Sequence, residues 1–290
     1  MIKFRMKKSL FILLFVIIST PLFAKLNIIV SIQPQIEFVK KIGGDKVDVT
    51  LMVATGKSPH TYEPKPLQMI KVSKANLYLS IGVEFEKVWL PKFKAQNKNL
   101  LIEDISKDIN RTKMVNKHSH HKSKNKKYIS LDPHIWVDPI KVKAIAKNIT
   151  KILSSVDSNN SSYYKKNLDS FLKEIDRTDQ EIKEILKNIP KNTKFMVFHP
   201  SWGYFAKRYG LIQLPIEIEG KSPKPREIID ILKEAKRENI KAIFTQLEFS
   251  DKASRTIANE LKIEVIKTSP LAKRWAENLK KLAKAIAKGN

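Results

Sequence analysis

Three of the six histidines in this sequence lie in short motifs in which a proline adjoins the histidine. The motifs are Pro59-His60-Thr61-Tyr62-Glu63-Pro64, Asp132-Pro133-His134-Ile135-Trp136 and His199-Pro200-Ser201-Trp202-Gly203. The prolines restrict the backbone beside each imidazole, which lowers the entropic cost of binding a ligand. Neutral imidazole suits zinc, copper and nickel, whereas manganese favours carboxylate oxygen. A single histidine of this kind is more often structural, but the three together indicate a divalent-metal site.

The other three histidines, His118, His120 and His121, lie in a lysine-rich segment. Residues 107–127 contain few large apolar side chains, so we expect a mobile surface loop there. The loop carries eight basic residues and a single acidic one, Asp108. Because positive charge repels a dication, any auxiliary metal capture by these histidines should be weak and pH-dependent.

The N-terminal residues have the pattern of a secretory signal peptide. Four basic residues precede an apolar run at 10–18, which is too short to span a bilayer comfortably. We predict cleavage after Ala24, with an uncleaved membrane anchor as the alternative. The sequence has no cysteine, which excludes disulfides, thiolate metal ligands and a lipid-modified N-terminal cysteine. We therefore expect a protein that is free in a periplasm and not embedded in the membrane.

The high positive charge does not by itself indicate a nucleic-acid-binding protein. The formal net charge is +26, and cleavage after Ala24 would leave about +22. Only eight of the 55 basic residues are arginine, the residue favoured for bidentate phosphate and base recognition. The lysines are spread along nearly every segment, often beside Asp or Glu, as they are on solvated surfaces. Together with export, this pattern argues against a nucleic-acid partner.

Short apolar runs alternate with helix-period stretches on both sides of a long central segment. Strands are predicted at 26–32, 47–53, 77–81, 99–105, 195–198, 214–218, 241–245 and 264–268. Helices are predicted between them at 33–41, 65–75, 85–96, 202–209, 225–236, 253–261 and 276–287. Such alternation implies parallel sheets with helices on their faces and binding loops at the carboxyl ends of the strands. We therefore predict an α/β fold with two similar parallel-sheet lobes.

One long rigid helix should join the lobes. Residues 163–188 carry apolar side chains at three- and four-residue spacing, and no glycine occurs between Gly82 and Gly203. A helix of this length extends about 39 Å, which predicts a stiff connection. An ordinary packed helix of one lobe is the alternative. The predicted ranges are 1–24 for the signal peptide, 25–157 for the first lobe, 158–189 for the linking helix and 190–290 for the second lobe.

The three histidine motifs, in this order around a long helix, resemble those of the zinc and manganese solute-binding proteins of ABC importers, the ZnuA-like family. The resemblance covers essentially the whole chain after residue 24. It implies two α/β lobes joined by a rigid helix, with a metal ion bound between them by His60, His134 and His199. Histidine at position 199 is typical of zinc-type members, whereas manganese-type members typically have glutamate there. The segment with His118, His120 and His121 resembles the histidine-rich loop of zinc-type members, which is often more acidic.

This resemblance implies a specific role. The protein would capture Zn(II) in the periplasm and deliver it to the membrane permease of an ABC transporter, and we expect a monomer. Four-coordinate zinc needs one ligand besides the three histidines. The family commonly has an aspartate before a Pro-Leu pair near the last strand, but this chain has Ser269-Pro270-Leu271 there. Water is the first candidate for the fourth ligand; Glu63 is a weaker one, better suited to accept an imidazole N–H bond.

Three other functions fit parts of the pattern. Manganese, iron or nickel could be the cargo of the same kind of protein. A zinc hydrolase could use three histidines and an activated water, but the motifs contain no obvious catalytic pair beyond Glu63 and Asp132. Because Asp132 lies next to a proline, where a role in a turn is more common, we expect no enzymatic activity. A metal-linked adhesin is the remaining alternative.

Overall fold

Two four-stranded parallel sheets form the framework of the protein. The computed structural model describes residues 25–114, 131–218 and 220–289. The first sheet has the strand order β2-β1-β3-β4 and consists of β1 (Leu26–Val30), β2 (Val47–Leu51), β3 (Leu77–Ser80) and β4 (Leu101–Asp104). The second has the order β6-β5-β7-β8 and consists of β5 (Lys194–Val197), β6 (Ile212–Pro215), β7 (Ala242–Thr245) and β8 (Glu264–Lys267). The shared strand order confirms the prediction of two similar α/β lobes.

Helices connect the strands in both lobes. In the first lobe they are α1 (Gln33–Gly43), α2 (Pro66–Ser73), α3 (Glu84–Gln96) and α4 (Pro139–Val156). The long helix is α5 (Ser161–Leu186), and it is followed by α6 (Gly203–Arg208), α7 (Pro225–Arg237), α8 (Lys252–Leu261) and α9 (Trp275–Gly289). Most elements lie within a few residues of their predicted ranges. The sixth strand differs most among these, because it begins two residues before the predicted range of 214–218 and ends three residues before the end of that range.

Helix α5 confirms the prediction of a long helix between the two sheets. It has 26 residues and buries a stripe of apolar side chains that includes Phe171, Ile175 and Ile182. The helix packs against α1 and α4 of the first lobe and against α9, which follows the second sheet. Ion pairs from Lys41 to Glu174 and from Lys280 to Glu181 add contacts on either side of it. The helix therefore contacts both halves of the molecule along its length.

Helix α4 was not among the predicted elements. It begins where Asp138 accepts a hydrogen bond from the backbone of Ile140 and where Pro139 occupies the first helical position. Both features favour a helix start. Its buried side chains include Val142, Ile145, Ile149 and Leu153, at the spacing of one helix face. Helix α4 packs on α5 and on α1, so it supports the long helix from the side of the first lobe.

Trp275 connects the two lobes next to helix α1. Trp275, at the start of α9, packs edge-to-face on Phe38 of α1 with ring centroids 5.7 Å apart. Its backbone N–H donates to Glu37 at 2.8 Å, and its indole N–H donates to the carbonyl of Trp136 at 2.6 Å. The ring is 2% exposed. The second half of the chain is therefore anchored in the core of the first.

Some predictions lie partly or wholly outside the described residues. They are the signal peptide at 1–24, the three loop histidines His118, His120 and His121, and residues 115–127 of the predicted mobile loop. Residues 107–114 of that loop form turns and an isolated bridge between Lys113 and Leu131. Within the described residues, no helix has the length and apolar character that crossing a membrane requires. The boundary residues of the lobes stay a prediction.

A buried carboxyl group should make the stability of the fold depend on pH. Burial raises the pKa of Glu86 to about 7, although Ser31 and the backbone N–H groups of Ile81 and Gly82 donate to it. Because the pKa in the folded protein lies above the unfolded value, this group's stabilisation is complete below about pH 4.5 and is lost as the pH rises through about 7. The loss should be about 3 kcal/mol at most.

Urea unfolding of the metal-free protein between pH 5 and 8 measures this effect. The free energy of unfolding should fall over that range in the wild type, and the fall should be smaller in Glu86→Gln, which cannot ionise. If the free energy of unfolding fell equally with pH in both proteins, Glu86 would not titrate in this range.

Candidate metal centre

The three predicted histidines meet in one small cavity between the two sheets. His60 lies in the loop after β2, His134 follows β4, and His199 follows β5 by two residues. All three line a cavity of about 20 Å³, which has room for one water-sized particle. The carboxyl ends of parallel strands are the usual place for a binding site in such sheets. The structure therefore brings together side chains that are separated by 65 residues or more in the chain.

Local hydrogen bonds explain how each loop presents its imidazole. His60 lies in a turn in which Thr61 N–H donates to the carbonyl of Ser58 at 3.2 Å. His134 donates its backbone N–H to Asp132 at 2.9 Å, just before a short 3-10 helix. For His199, the side chain of Gln246 donates to the backbone carbonyl at 2.9 Å and accepts from the backbone N–H at 3.3 Å. The backbone of each histidine is thus held by its own turn or by a neighbouring strand end.

The spacing of the rings fits a shared ion. The ring centroid of His199 lies 5.4 Å from that of His60 and 5.3 Å from that of His134. Two imidazoles that bind one tetrahedral zinc ion through Zn–N bonds of about 2.0–2.1 Å have ring centres about 5.2 Å apart. The two measured distances are therefore close to those that a shared ion requires.

The side chains around the cavity are not placed to hold an ion as they stand. Within the described parts of the chain, no group of three or more His, Asp and Glu side chains is already placed to hold a metal ion. Of the three histidines, His60 has the most room to move, because 36% of its side chain is exposed against 8% for His134 and 6% for His199.

Each of the three imidazoles has a carboxylate beside its Nδ1 atom. Nδ1 of His134 lies 2.7 Å from Asp132 and that of His199 lies 2.9 Å from Glu217, both within hydrogen-bond distance. Nδ1 of His60 lies 3.5 Å from Glu84, which is longer than a normal hydrogen bond. The carboxylates beside His60, His134 and His199 are thus those of Glu84, Asp132 and Glu217. An ionised carboxylate can only accept, so a neutral imidazole at His134 or His199 would carry its proton on Nδ1 and keep the lone pair on Nε2.

This arrangement fits a metal ion well. Carboxylate–imidazole pairs of this kind orient metal-binding histidines in many proteins and raise their basicity. Nε2 of His199 is buried and has no hydrogen-bond partner among the described residues, which is costly unless something binds there. Burial also lowers the pKa of His60, with Glu84 opposing the shift, so this imidazole is neutral at pH 7 and can act as a ligand.

Aromatic side chains close the cavity and connect the two lobes around it. Phe249 stacks on the ring of His199 with centroids 4.8 Å apart, and Trp136 lies 5.2 Å from the ring of His134. The indole N–H of Trp136 donates to the carbonyl of Pro270 at 2.9 Å, which links the first lobe to the second. Trp202, in the motif of His199, is fully buried and packs on Phe205.

A fourth polar side chain, Glu248, lines the same cavity. It lies in the loop after β7, and its Oε1 accepts a hydrogen bond from Ser269 Oγ at 2.6 Å. Its Oε2 is buried and has no partner among the described residues. Burial raises the pKa of Glu248, while the Ser269 hydroxyl and His199 act in the opposite direction. The serine at 269 therefore holds a carboxylate at the cavity.

Sequence reasoning identified the histidines but not the carboxylates around them. Glu63, the carboxylate suggested by the motif, is exposed, and Glu84 at the start of α3 is the one beside His60. Asp132 was identified as a turn residue, and it both accepts from the backbone of His134 and contacts its ring. A usable signal existed for Glu217 and Glu248, because both follow a strand at its carboxyl end.

Comparison with known proteins identifies the family of this chain. Residues 28–289 match the family described as zinc-uptake complex component A, periplasmic. The high-affinity zinc uptake system protein ZnuA of Bacillus subtilis is 29% identical over 255 residues, covering 84% of this chain and 78% of the relative. The manganese ABC transporter substrate-binding lipoprotein PsaA of Streptococcus mitis is 28% identical over 291 residues, covering 91% of this chain and 90% of the relative.

A solved structure shows the same fold. The crystal structure of a ZnuA protein superposes with a TM-score of 0.84 at 42% sequence identity, covering 91% of this chain and 99% of that chain. The relatives named for zinc and for manganese are nearly equally similar in sequence, so these similarities do not decide between the two metals. The choice of metal must be argued from the side chains of the cavity.

Proposed function

Because this chain belongs to the zinc-uptake complex component A family of metal-binding ABC-importer proteins, we propose that it captures Zn(II) and delivers it to a membrane permease. The proposed ligands are His60, His134 and His199. The observation that carries the proposal is the buried, unpartnered Nε2 of His199, which lies in a cavity lined by the other two histidines.

The ligand chemistry favours zinc as the cargo. The three imidazoles offer nitrogen, which zinc binds more strongly than manganese does at comparable sites. Two of them are fixed by carboxylates that select the tautomer with a free Nε2 lone pair. A cavity of about 20 Å³ suits one four-coordinate ion better than an ion with several waters attached. Manganese, which prefers oxygen ligands, is therefore the second candidate rather than the first.

The position of His60 suggests how the ion enters. His134 and His199 are nearly buried, whereas about a third of the His60 side chain is exposed. An ion arriving from solvent would meet His60 first and then the two buried rings. This path needs only a side-chain movement, because the lobes are held together by Trp136 and Trp275.

The remaining parts of the proposal concern location and partners. We propose that the protein acts in the periplasm after removal of residues 1–24, and that the permease recognises the metal-loaded form. We also propose that it acts as a monomer and has no enzymatic activity, like the transport proteins that it resembles.

Competitive titration tests the choice of metal. The purified protein is stripped of metal and titrated with Zn(II) and Mn(II) against chelators of known affinity. We expect one equivalent of zinc to bind at least about tenfold more tightly than manganese, because the ligands are imidazoles. A matched control lacks residues 117–122, which removes the three loop histidines and should leave this preference unchanged. Equal affinity for the two metals would overturn the proposed zinc function.

A further inference from the structure

The metal cavity holds one carboxylate oxygen that the three-histidine site does not use. Glu248 lines the cavity with His60, His134 and His199, and its Oε2 is buried without a hydrogen-bond partner among the described residues. Leaving a charged acceptor of this kind unsatisfied is strongly unfavourable. Such an oxygen, in a residue that lines the same cavity as three imidazoles, has the environment of a metal ligand.

The topology of the second sheet explains why Glu248 reaches this place. The strand order β6-β5-β7-β8 puts β7 directly between β5 and β8. The loops after these three strands carry His199, Glu248 and Ser269, so the three side chains lie side by side at one edge. Phe249, next to Glu248 in the chain, stacks on the ring of His199. The carboxylate is therefore held beside the most buried of the three histidines.

Ser269 fixes the orientation of this carboxylate. Its hydroxyl donates to Oε1 of Glu248 at 2.6 Å and accepts from the backbone N–H of Leu271 at 3.0 Å. One oxygen of Glu248 is thus occupied, and the other is left for a different partner. Ser269 itself is neutral and short, so it is a positioning residue.

We propose that Glu248 is the fourth protein ligand of the bound metal ion, completing a site of three imidazoles and one carboxylate. This proposal rests on the proposed function, because it adds a ligand to the same ion. A carboxylate oxygen binds zinc at about 2.0–2.2 Å and neutralises half of its charge in a buried site. A site with four protein ligands leaves no position for an exchangeable water, whereas a three-histidine site does.

Azide binding to the cobalt(II)-loaded protein tests this difference. Cobalt(II) replaces zinc and reports its ligands through its visible absorption spectrum. We expect azide to leave the spectrum of the wild type unchanged and to shift that of Glu248→Gln, in which the amide is a poor ligand and a solvent ligand takes its place. Zinc affinity, measured by chelator competition, should fall by about tenfold or more in Glu248→Gln.

Controls separate a ligand from a general effect of charge or folding. Glu260→Gln removes an exposed carboxylate from α8 in the same lobe and should change neither measurement. Glu248→Asp keeps the charge but shortens the side chain, so its cobalt spectrum should respond to azide. Ser269→Ala should weaken zinc binding less than Glu248→Gln does, and Ser269→Thr should restore it because the hydroxyl is kept.

Two outcomes would overturn the proposal, and they differ from failure of the proposed function. If Glu248→Gln binds zinc as tightly as the wild type, Glu248 is not a ligand. If azide shifts both cobalt spectra equally, the fourth position belongs to solvent. In both cases His199→Ala would still lose zinc. If zinc binding survived His60→Ala and His199→Ala instead, the three-histidine site itself would be wrong.

Discussion

Replacing His199 by alanine should lower the zinc affinity by a factor of about 100 to 1,000. Structural zinc sites bind their ion with about 10–16 kcal/mol, which gives each of about four ligands a share of roughly 2.5–4 kcal/mol. His199 is 5% exposed, and its Nε2 has no other partner within the described residues. The substitution also leaves the buried carboxylate of Glu217 without its donor. Chelator competition with the metal-stripped protein measures the change.

A folding defect must be separated from the loss of a ligand. His60→Ala is the matched variant, because His60 lies at the exposed side of the cavity and its removal does not open the core. It should also weaken zinc binding by at least about tenfold, whereas circular dichroism should show an unchanged fold. Deletion of residues 117–122, which removes His118, His120 and His121, should leave the affinity within about threefold of the wild type, since the three proposed ligands are kept. Wild-type affinity in His199→Ala would remove the main support for the site.

Zinc should raise the melting temperature of the wild-type protein by about 10 °C. A ligand that binds only the folded state stabilises it by about 4 kcal/mol at a concentration of 1,000 times its dissociation constant. For a chain of this size, 1 kcal/mol corresponds to a shift of about 2–4 °C. The ion would join His199 of the second lobe to His60 and His134 of the first, so it should stabilise both lobes together.

Thermal unfolding followed by circular dichroism, with and without zinc, measures this shift. The His199→Ala variant at the same zinc concentration is the control, and its melting temperature should rise by less than about 2 °C, because weak binding contributes little at that concentration. Manganese should stabilise the wild type less than zinc does. A shift of equal size in both proteins would show that zinc stabilises the chain elsewhere.

Much of the fold could be predicted from the sequence. The alternation of short apolar runs with amphipathic helix patterns predicted both sheets, because each strand is short and is bounded by a helix pattern. The long helix α5 was predicted from its apolar stripe, and the structure confirms it. Helix α4 was missed although its signals were present: the Asp138 cap, Pro139 and the spacing of Val142, Ile145 and Ile149.

The site was predictable only in part, for a physical reason. His60, His134 and His199 are marked by adjacent prolines, which is a local signal. The carboxylates that orient them come from elsewhere in the chain, except for Asp132 two residues before His134. Whether Glu84 or Glu63 lies beside His60 depends on how α3 packs against the loop after β2, which no local pattern encodes.

Ser269 is a second residue whose contact could not be predicted from local sequence patterns. From the sequence, a serine at this position indicated that the family's carboxylate ligand is missing and predicted water as the fourth ligand. In the structure its hydroxyl donates to Glu248, which comes from the neighbouring strand end. The distance between the two residues along the chain hides this pair, and only the strand order of the second sheet brings them together.

The most direct measurement of the central claim is a crystal structure of the zinc-loaded protein with anomalous diffraction data collected on both sides of the zinc absorption edge. The anomalous difference map should show one zinc peak in the cavity, with His60, His134 and His199 at about 2.0–2.1 Å through Nε2. A zinc peak outside this cavity, or one in it that contacts fewer than three of these histidines, would contradict the account.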